Sequence, residues 1–246
     1  MTSVVNADSP VALITGASSG IGKAIALSLA AGGRARLCLA SRRIDALRSV
    51  AAEVCKMHSQ ALPCAADMES PEDIERLSQA VETNFGRLDI LVHAAGVISH
   101  AAVEQAEIGE LDRHYNVNFR GPYLLTTRLL PLVKASRGQI VFINSTAGLT
   151  ARANVSQYAA SKHALRAFAD SLRDEVNSEG VRVISVFLGR TATPMQETVC
   201  AMEERPYRPE LLMQPEDVAA VVLNALQLPR TAEVTELKMR PFIKSY

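Results

Sequence analysis

Tyr158 and Lys162 stand four residues apart in 156–178, a segment of good helix formers, so a helix there puts the phenol and the ammonium on one face. A lysine cation beside a phenol favours the phenolate and lowers its pKa. That makes a group able to exchange a proton with an alcohol or carbonyl near neutral pH. The same spacing describes an ordinary surface pair, and alone it assigns nothing. A second pattern is tied to a place in the chain: Thr15-Gly16-Ala17-Ser18-Ser19-Gly20-Ile21-Gly22 follows an apolar run, Val11 to Thr15, and precedes a helical segment, 23–31. Strand, glycine turn and helix bring backbone N–H groups and the positive end of a helix dipole up to a phosphate. A mere tight turn is the alternative, and the G-x-x-x-G-x-G spacing departs from the commoner G-x-G-x-x-G; position at the first β-to-α junction favours the phosphate of a dinucleotide.

The second apolar run ends at Ala40-Ser41-Arg42-Arg43, where a site that reads a ribose 2′-hydroxyl carries an acid. Arg42 and Arg43, with Ser41 and Ser18, suit a 2′-phosphate instead, because a guanidinium binds phosphate bidentately. This favours NADP(H) over NAD(H). The alternative, two solvated charges opening a helix, sits where the helix dipole disfavours them.

The elements that must carry these groups are short runs rich in Val, Ile and Leu: 11–15, 35–40, 61–65, 88–92, 139–143, 181–187 and 234–238. Segments of helical periodicity separate them. Runs apolar on both faces and spaced by helices predict a seven-stranded parallel sheet covered on both sides, a doubly wound α/β sandwich. Ser70-Pro71-Glu72-Asp73 and Gln214-Pro215-Glu216-Asp217 read as helix starts, Gly86 and Gly180 as helix stops, and 104–133 as one long helical segment. With no repeat or linker, 1–246 reads as one domain. The stretch 191–213, with Pro194, Pro206 and Pro209, is a candidate substrate lid whose Met195, Met202, Tyr207, Leu211 and Leu212 suggest apolar walls.

The chain has 246 residues, 48% hydrophobic and 21% charged, with 26 basic against 26 acidic side chains, enough to bury a full core. Zero net charge argues against general affinity for nucleic acid or anionic membrane. No apolar stretch approaches the ~20 residues of a membrane span, and 1–10 has no signal-peptide pattern. A soluble, cytoplasmic protein is expected. Cys38, Cys55, Cys64 and Cys200 form no C-x-x-C pair and read as free thiols. Nothing in the histidine spacing suggests a metal.

Taken together, the motifs resemble those of the short-chain dehydrogenases/reductases in their compact form of about 250 residues. The resemblance rests on the glycine loop at 15–22, Asp67, Asp89, Ala94-Ala95-Gly96, Asn118-Phe119-Arg120-Gly121, Ser145, Tyr158-x-x-x-Lys162 and Gly189-Arg190-Thr191-Ala192-Thr193. Ser145 precedes Tyr158 by 13 residues and Asn118 by 40, spacings similar to the family's. The resemblance implies a Rossmann-type fold and an oxidoreductase that interconverts an alcohol with a ketone or aldehyde. Tyr158 would be the acid/base and Ser145 would hold the substrate oxygen. Lys162 would lower the Tyr158 pKa and bind the nicotinamide ribose, and Asn118 would hold a water of a proton relay. Cofactor contacts would come from Gly16, Ser18, Ser19, Gly20, Ile21 and Gly22, from Ser41, Arg42 and Arg43, and from Asp67 and Met68 near the adenine. The turn His93-Ala94-Ala95-Gly96, then Gly189, Thr191 and Thr193, would complete the site. Asp89 reads as structural. A homodimer or homotetramer through 104–133 and 156–178 is implied in the same way. Two departures stand out: His93-Ala94 replaces the family's Asn-Asn, leaving the bracing of that turn open, and Leu188 replaces a proline before Gly189. A 3-oxoacyl thioester reductase and a non-catalytic dinucleotide sensor are the alternatives.

Overall fold

A computed structural model describes residues 9–243. Seven strands, β1 (Val11–Thr15), β2 (Arg36–Ser41), β3 (Gln60–Ala65), β4 (Ile90–His93), β5 (Gln139–Ser145), β6 (Arg182–Leu188) and β7 (Glu236–Met239), form one parallel sheet in the order β3-β2-β1-β4-β5-β6-β7. Residues 1–8 and 244–246, the ends of the expected domain, lie outside the described residues. Two apolar clusters cover the two faces of the sheet. One centres on Ile14, Leu39 and Val186, the other on Leu13, Leu91 and Phe142. Successive side chains of a strand alternate between faces, so the apolar residues of the central strands divide between the two clusters. Pro63 lies in β3, which is an edge strand and tolerates a missing N–H.

The helices are α1 (Gly20–Ala31), α2 (Ile44–Lys56), α3 (Pro71–Phe85), α4 (Ile108–Tyr115), α5 (Gly121–Ala135), α6 (Ser156–Val176), α7 (Pro194–Met202) and α8 (Pro215–Leu226). Ser70 caps α3 by accepting the Asp73 N–H at 3.1 Å, and the Asp217 carboxylate accepts the Gln214 N–H at 2.8 Å, as the two helix-start patterns predict. Gly86 and Gly180 adopt left-handed backbone at the stops. Asp89 is structural: its carboxylate takes the Val11 N–H at 2.8 Å and pairs with Arg87.

Two expectations need correction. The fourth strand begins at Ile90 and runs to His93 rather than 88–92, because Leu88 and Asp89 are spent on the turn that anchors Val11 and Gln139. Segment 104–133 is not one helix: a short 3₁₀ turn precedes α4, and a π-helical turn at Asn116–Arg120 separates α4 from α5. Such a turn rotates one residue out of register, and here it directs Asn118 inward. Leu188, in place of proline, simply extends β6, where it pairs with Met239 and Ser145.

Gly121 follows that turn so closely packed that a Cβ would lie inside van der Waals contact with the Met68 carbonyl. Gly121→Ala therefore overpacks a junction between backbone segments and costs about 1–3 kcal/mol, read as a lower midpoint in denaturant unfolding.

Candidate active site

In an open parallel sheet, ligands bind outside the carboxyl ends of the strands where the strand order reverses, here between β1 and β4. A cleft of about 1400 Å³ lies along that edge. It is lined by the glycine loop, the ends of β2 and β3, the turn after β4, the end of β5, part of α6 and the segment from Leu188 to Arg205.

The glycine loop begins at Gly16, where φ is +69°, a left-handed backbone that favours glycine. A Cβ there would also meet the Ala94 carbonyl carbon at 2.8 Å, so only glycine lets the loop lie against the turn after β4. At the start of α1, Ser19 has extended backbone, its side chain does not cap the helix, and the first turn holds no acid. The helix therefore presents backbone N–H groups and an uncompensated positive dipole to the cleft, which fits a pyrophosphate. The bracing of the turn after β4, which the missing amides left open, comes from Thr15. Its hydroxyl accepts the N–H groups of Ala94 and Ala95 at 3.1 and 3.2 Å. Sequence reasoning missed Thr15, though a polar residue closing an apolar strand was a usable signal.

At the end of β2 the two arginines diverge. Arg43 reaches the Ser18 and Ser19 hydroxyls at 3.3 and 3.2 Å, and its backbone N–H is held by the Ser41 hydroxyl at 3.2 Å. Arg42 instead faces Asp67, 3.9 Å from its carboxylate. Met68 also lines the cleft, beside Asp67. Across it, Thr193 caps α7 by accepting the Gln196 N–H at 3.2 Å, with its methyl against Gly20. Thr191 is buried, its hydroxyl donating to the Gly189 carbonyl at 3.3 Å.

His93 is a correction. As a strand residue it shares the face of Leu91, so its side chain enters the helix layer rather than the cleft. It stacks on Phe142, with centroids 4.9 Å apart, and lies 2.9 Å from the Thr126 hydroxyl. Burial pushes its pKa down to about 3, so it is a neutral core residue. Of the residues assigned to the cofactor, His93 alone stays out of the cleft lining.

Ser145 closes β5 and Tyr158 and Lys162 project from α6, all three facing the cleft. Ser145 stands beside the Tyr158 phenol, close enough for its hydroxyl to lower the phenol pKa, and the Ser145 oxygen accepts the Ala147 N–H at 3.1 Å. The Lys162 ammonium lies 5.9 Å from the Tyr158 ring centre and donates to the Ile143 carbonyl at 3.1 Å. Burial pushes the Tyr158 phenol up, the neighbouring Ser145 hydroxyl opposing it, and pushes Lys162 down to about 8. The direction at Tyr158 is opposite to the expectation from a neighbouring cation, because desolvation by burial is the largest influence on the phenol.

Asn118 is fully buried and fully used. Its Oδ1 accepts the Val97 N–H at 2.9 Å, and its Nδ2 donates to the Val97 carbonyl and the Ser161 hydroxyl, each at 3.0 Å. Ser161 in turn donates to the Tyr158 carbonyl at 2.8 Å, so Asn118 ties the loop after β4 to α6. Asn144 does the same from β5, giving its Nδ2 to the Lys162 carbonyl at 3.1 Å. Neither Ser161 nor Asn144 was singled out; buried polar residues flanking Tyr158 and Ser145 were the available signal. Of the candidate lid residues, Met195 and Met202 line the cleft, whereas Tyr207, Leu211 and Leu212 do not. An ion pair from Arg190 to Glu203, at 2.6 Å, holds α7 to the end of β6.

Among the described residues no helix is long and apolar enough to cross a membrane, and no cluster of metal-ligating side chains occurs. An alcohol dehydrogenase from Thermococcus sibiricus, solved with 5-hydroxy-NADP, superposes with a TM-score of 0.87 at 28% identity, covering 95% of this chain and 97% of that one. A 3-ketoacyl-(acyl-carrier-protein) reductase from Brucella melitensis, solved with NADH, gives 0.82 at 28% identity over 95% and 98%. A glycine betaine reductase of Emericella nidulans is 32% identical over 94% of this chain, which spans only 18% of that longer protein. The family model for short chain dehydrogenase matches residues 10–204, and with seven parallel strands in one Rossmann-type domain the chain belongs to the short-chain dehydrogenase/reductase family of oxidoreductases.

Proposed function

We propose that the protein is an NADP(H)-dependent oxidoreductase interconverting an alcohol with a ketone or aldehyde, with Tyr158 as its acid/base. The observation that carries this is the meeting of Tyr158 and Ser145 in one cleft, with the Lys162 ammonium 5.9 Å from the Tyr158 ring centre. When bound, the nicotinamide supplies or accepts the hydride. Ser145 and Tyr158 together hold the substrate oxygen through their hydroxyls, and Tyr158 gives its proton to that oxygen as negative charge builds. The raised phenol pKa keeps this proton in place at neutral pH, which suits reduction. Lys162 holds positive charge beneath the phenol, and Asn118 acts through Ser161 by fixing the backbone of Tyr158.

Selection of NADP(H) rests on Arg43, with Arg42, Ser18 and Ser41 beside it, at the place where an acid would meet a 2′-hydroxyl. Because the chain has no tryptophan, bound nicotinamide fluorescence reads affinity directly. NADPH binds more tightly than NADH, and Arg43→Ala weakens NADPH about 10–100-fold while leaving NADH unchanged. Equal loss for both cofactors, or a native preference for NADH, overturns the assignment.

The similarity to the 3-ketoacyl-(acyl-carrier-protein) reductase keeps a second reading, a thioester reductase, which would turn over acyl-carrier thioesters faster than free ketones. Exposed Ile108, Tyr115 and Tyr123 on α4 and α5 support pairing of two copies through that face.

A further inference from the structure

The chain as a whole is electrically neutral, but its cleft is not. Eight basic side chains line it against three acids. Two of the acids are matched within the cleft, Asp67 by Arg42 and Glu203 by Arg190. Arg43 and Lys162 belong to the cofactor and the acid/base group. What remains is Arg152, Arg205, Lys238 and Arg240, each exposed and without an ion pair among the described residues, against Glu204 alone.

These cations line the cleft from three separate segments. Arg152 lies between Ser145 and Tyr158 on the loop joining β5 to α6, and this loop is pinned by the Ala101 N–H donating to the Asn154 carbonyl at 3.0 Å. Arg205 follows α7, its N–H held by the Cys200 carbonyl at 2.9 Å. Lys238 belongs to β7, and Arg240 follows it, its backbone packed against Gly189 at the end of β6. A concave site walled by one sign of charge concentrates ligands of the other sign, and guanidinium groups are the side chains suited to carboxylate and phosphate oxygens.

The geometry points to a substrate that carries an anionic group besides its reacting carbonyl, with Arg152 and Arg205 meeting that group while Tyr158 and Ser145 hold the carbonyl oxygen. The inference rests on the oxidoreductase reading and narrows its substrate class to oxo acids or phosphorylated ketones.

The test compares two matched pairs, levulinate with its methyl ester and dihydroxyacetone phosphate with dihydroxyacetone. Two readouts are taken on the wild-type protein and on the Arg152→Gln/Arg205→Gln double variant. One is kcat/KM with NADPH; the other is affinity for the NADPH complex, followed by nicotinamide fluorescence, which needs no turnover. The expected result is a preference of about tenfold or more for the anionic member of one pair, weakened by salt and lost in the double variant, with the neutral member unaffected. The pair that shows it tells carboxylate from phosphate. Equal or better handling of the neutral members in both pairs overturns the inference, as does a preference that survives in the double variant. Turnover of the neutral ketones alone refutes the anionic substrate and leaves the oxidoreductase reading standing. Selective anion binding without turnover does the reverse.

Discussion

Tyr158→Phe lowers kcat/KM for carbonyl reduction by about a thousandfold and leaves NADPH affinity within about twofold of the wild type. The substitution removes one hydroxyl. The ring keeps its buried place on α6, edge-on to His114 at 6.0 Å, so the helix and Lys162 stay where they are. What is lost is the proton donor and one of two hydrogen bonds to the substrate oxygen; Ser145 keeps the other. A dinucleotide sensor that had kept the fold without chemistry has no use for this hydroxyl, and there the variant is silent in every assay. Full retention of a demonstrated reductase activity removes Tyr158 from its role. The pH dependence follows with a definite sign. Reduction needs the phenol protonated and oxidation needs the phenolate, and burial raises the phenol pKa. The reductive rate holds through neutral pH and falls as pH rises through that pKa, while the oxidative rate climbs over the same range. In Tyr158→Phe both limbs vanish, which initial rates in each direction would show.

The parallel sheet was legible because it is written in period: runs such as 11–14 and 140–143 are apolar at every position, as a strand buried on both faces requires. The cleft was legible because glycine 16 and the 41–43 sequence sit at junctions the topology makes functional. What the sequence hid is which way individual side chains turn. His93 is the last residue of its strand, and a one-residue difference in where β4 ends decides whether its imidazole faces cofactor or core. Asn118 depends on a π-helical turn that helical periodicity does not announce, so its use as a brace for Val97 and Ser161 was invisible. The balance of charge at Tyr158 was misjudged for a related reason. Spacing shows the neighbouring lysine, but desolvation depends on burial, which only the packed fold sets. The basic wall at Arg152, Arg205 and Arg240 comes from three segments far apart in the chain, and no local pattern links them.

Lys162→Met raises the stability of the protein without cofactor while it removes most activity, and the opposite signs are the informative part. Lys162 is 5% exposed, its ammonium donates a hydrogen bond to the Ile143 carbonyl, and burial lowers its pKa from 10.5 to about 8. Below pH 8 the native state must hold a charge that the unfolded chain holds in water. Between about pH 8 and 10.5 the unfolded state binds more protons than the native one, so stability rises with pH across that window. The full cost below it is about 3 kcal/mol. Methionine, unbranched and apolar, fills much of the same space without the charge but leaves the Ile143 carbonyl without its donor, which returns about 1 kcal/mol of the gain. A net rise of about 2 kcal/mol corresponds to a Tm about 4–8 °C higher near neutral pH, shrinking towards zero or below as pH passes 10. Over the same substitution kcat/KM falls by about a hundredfold or more, because the positive charge beneath the phenol is gone. A lysine kept for structure gives the other pattern, a lower Tm with turnover per folded molecule preserved. Thermal unfolding at pH 7 and pH 10, set beside kcat/KM for the same protein, distinguishes the two: a destabilised but active variant removes Lys162 from the site, whereas a stabilised and inactive one shows a charge retained against the stability of the fold.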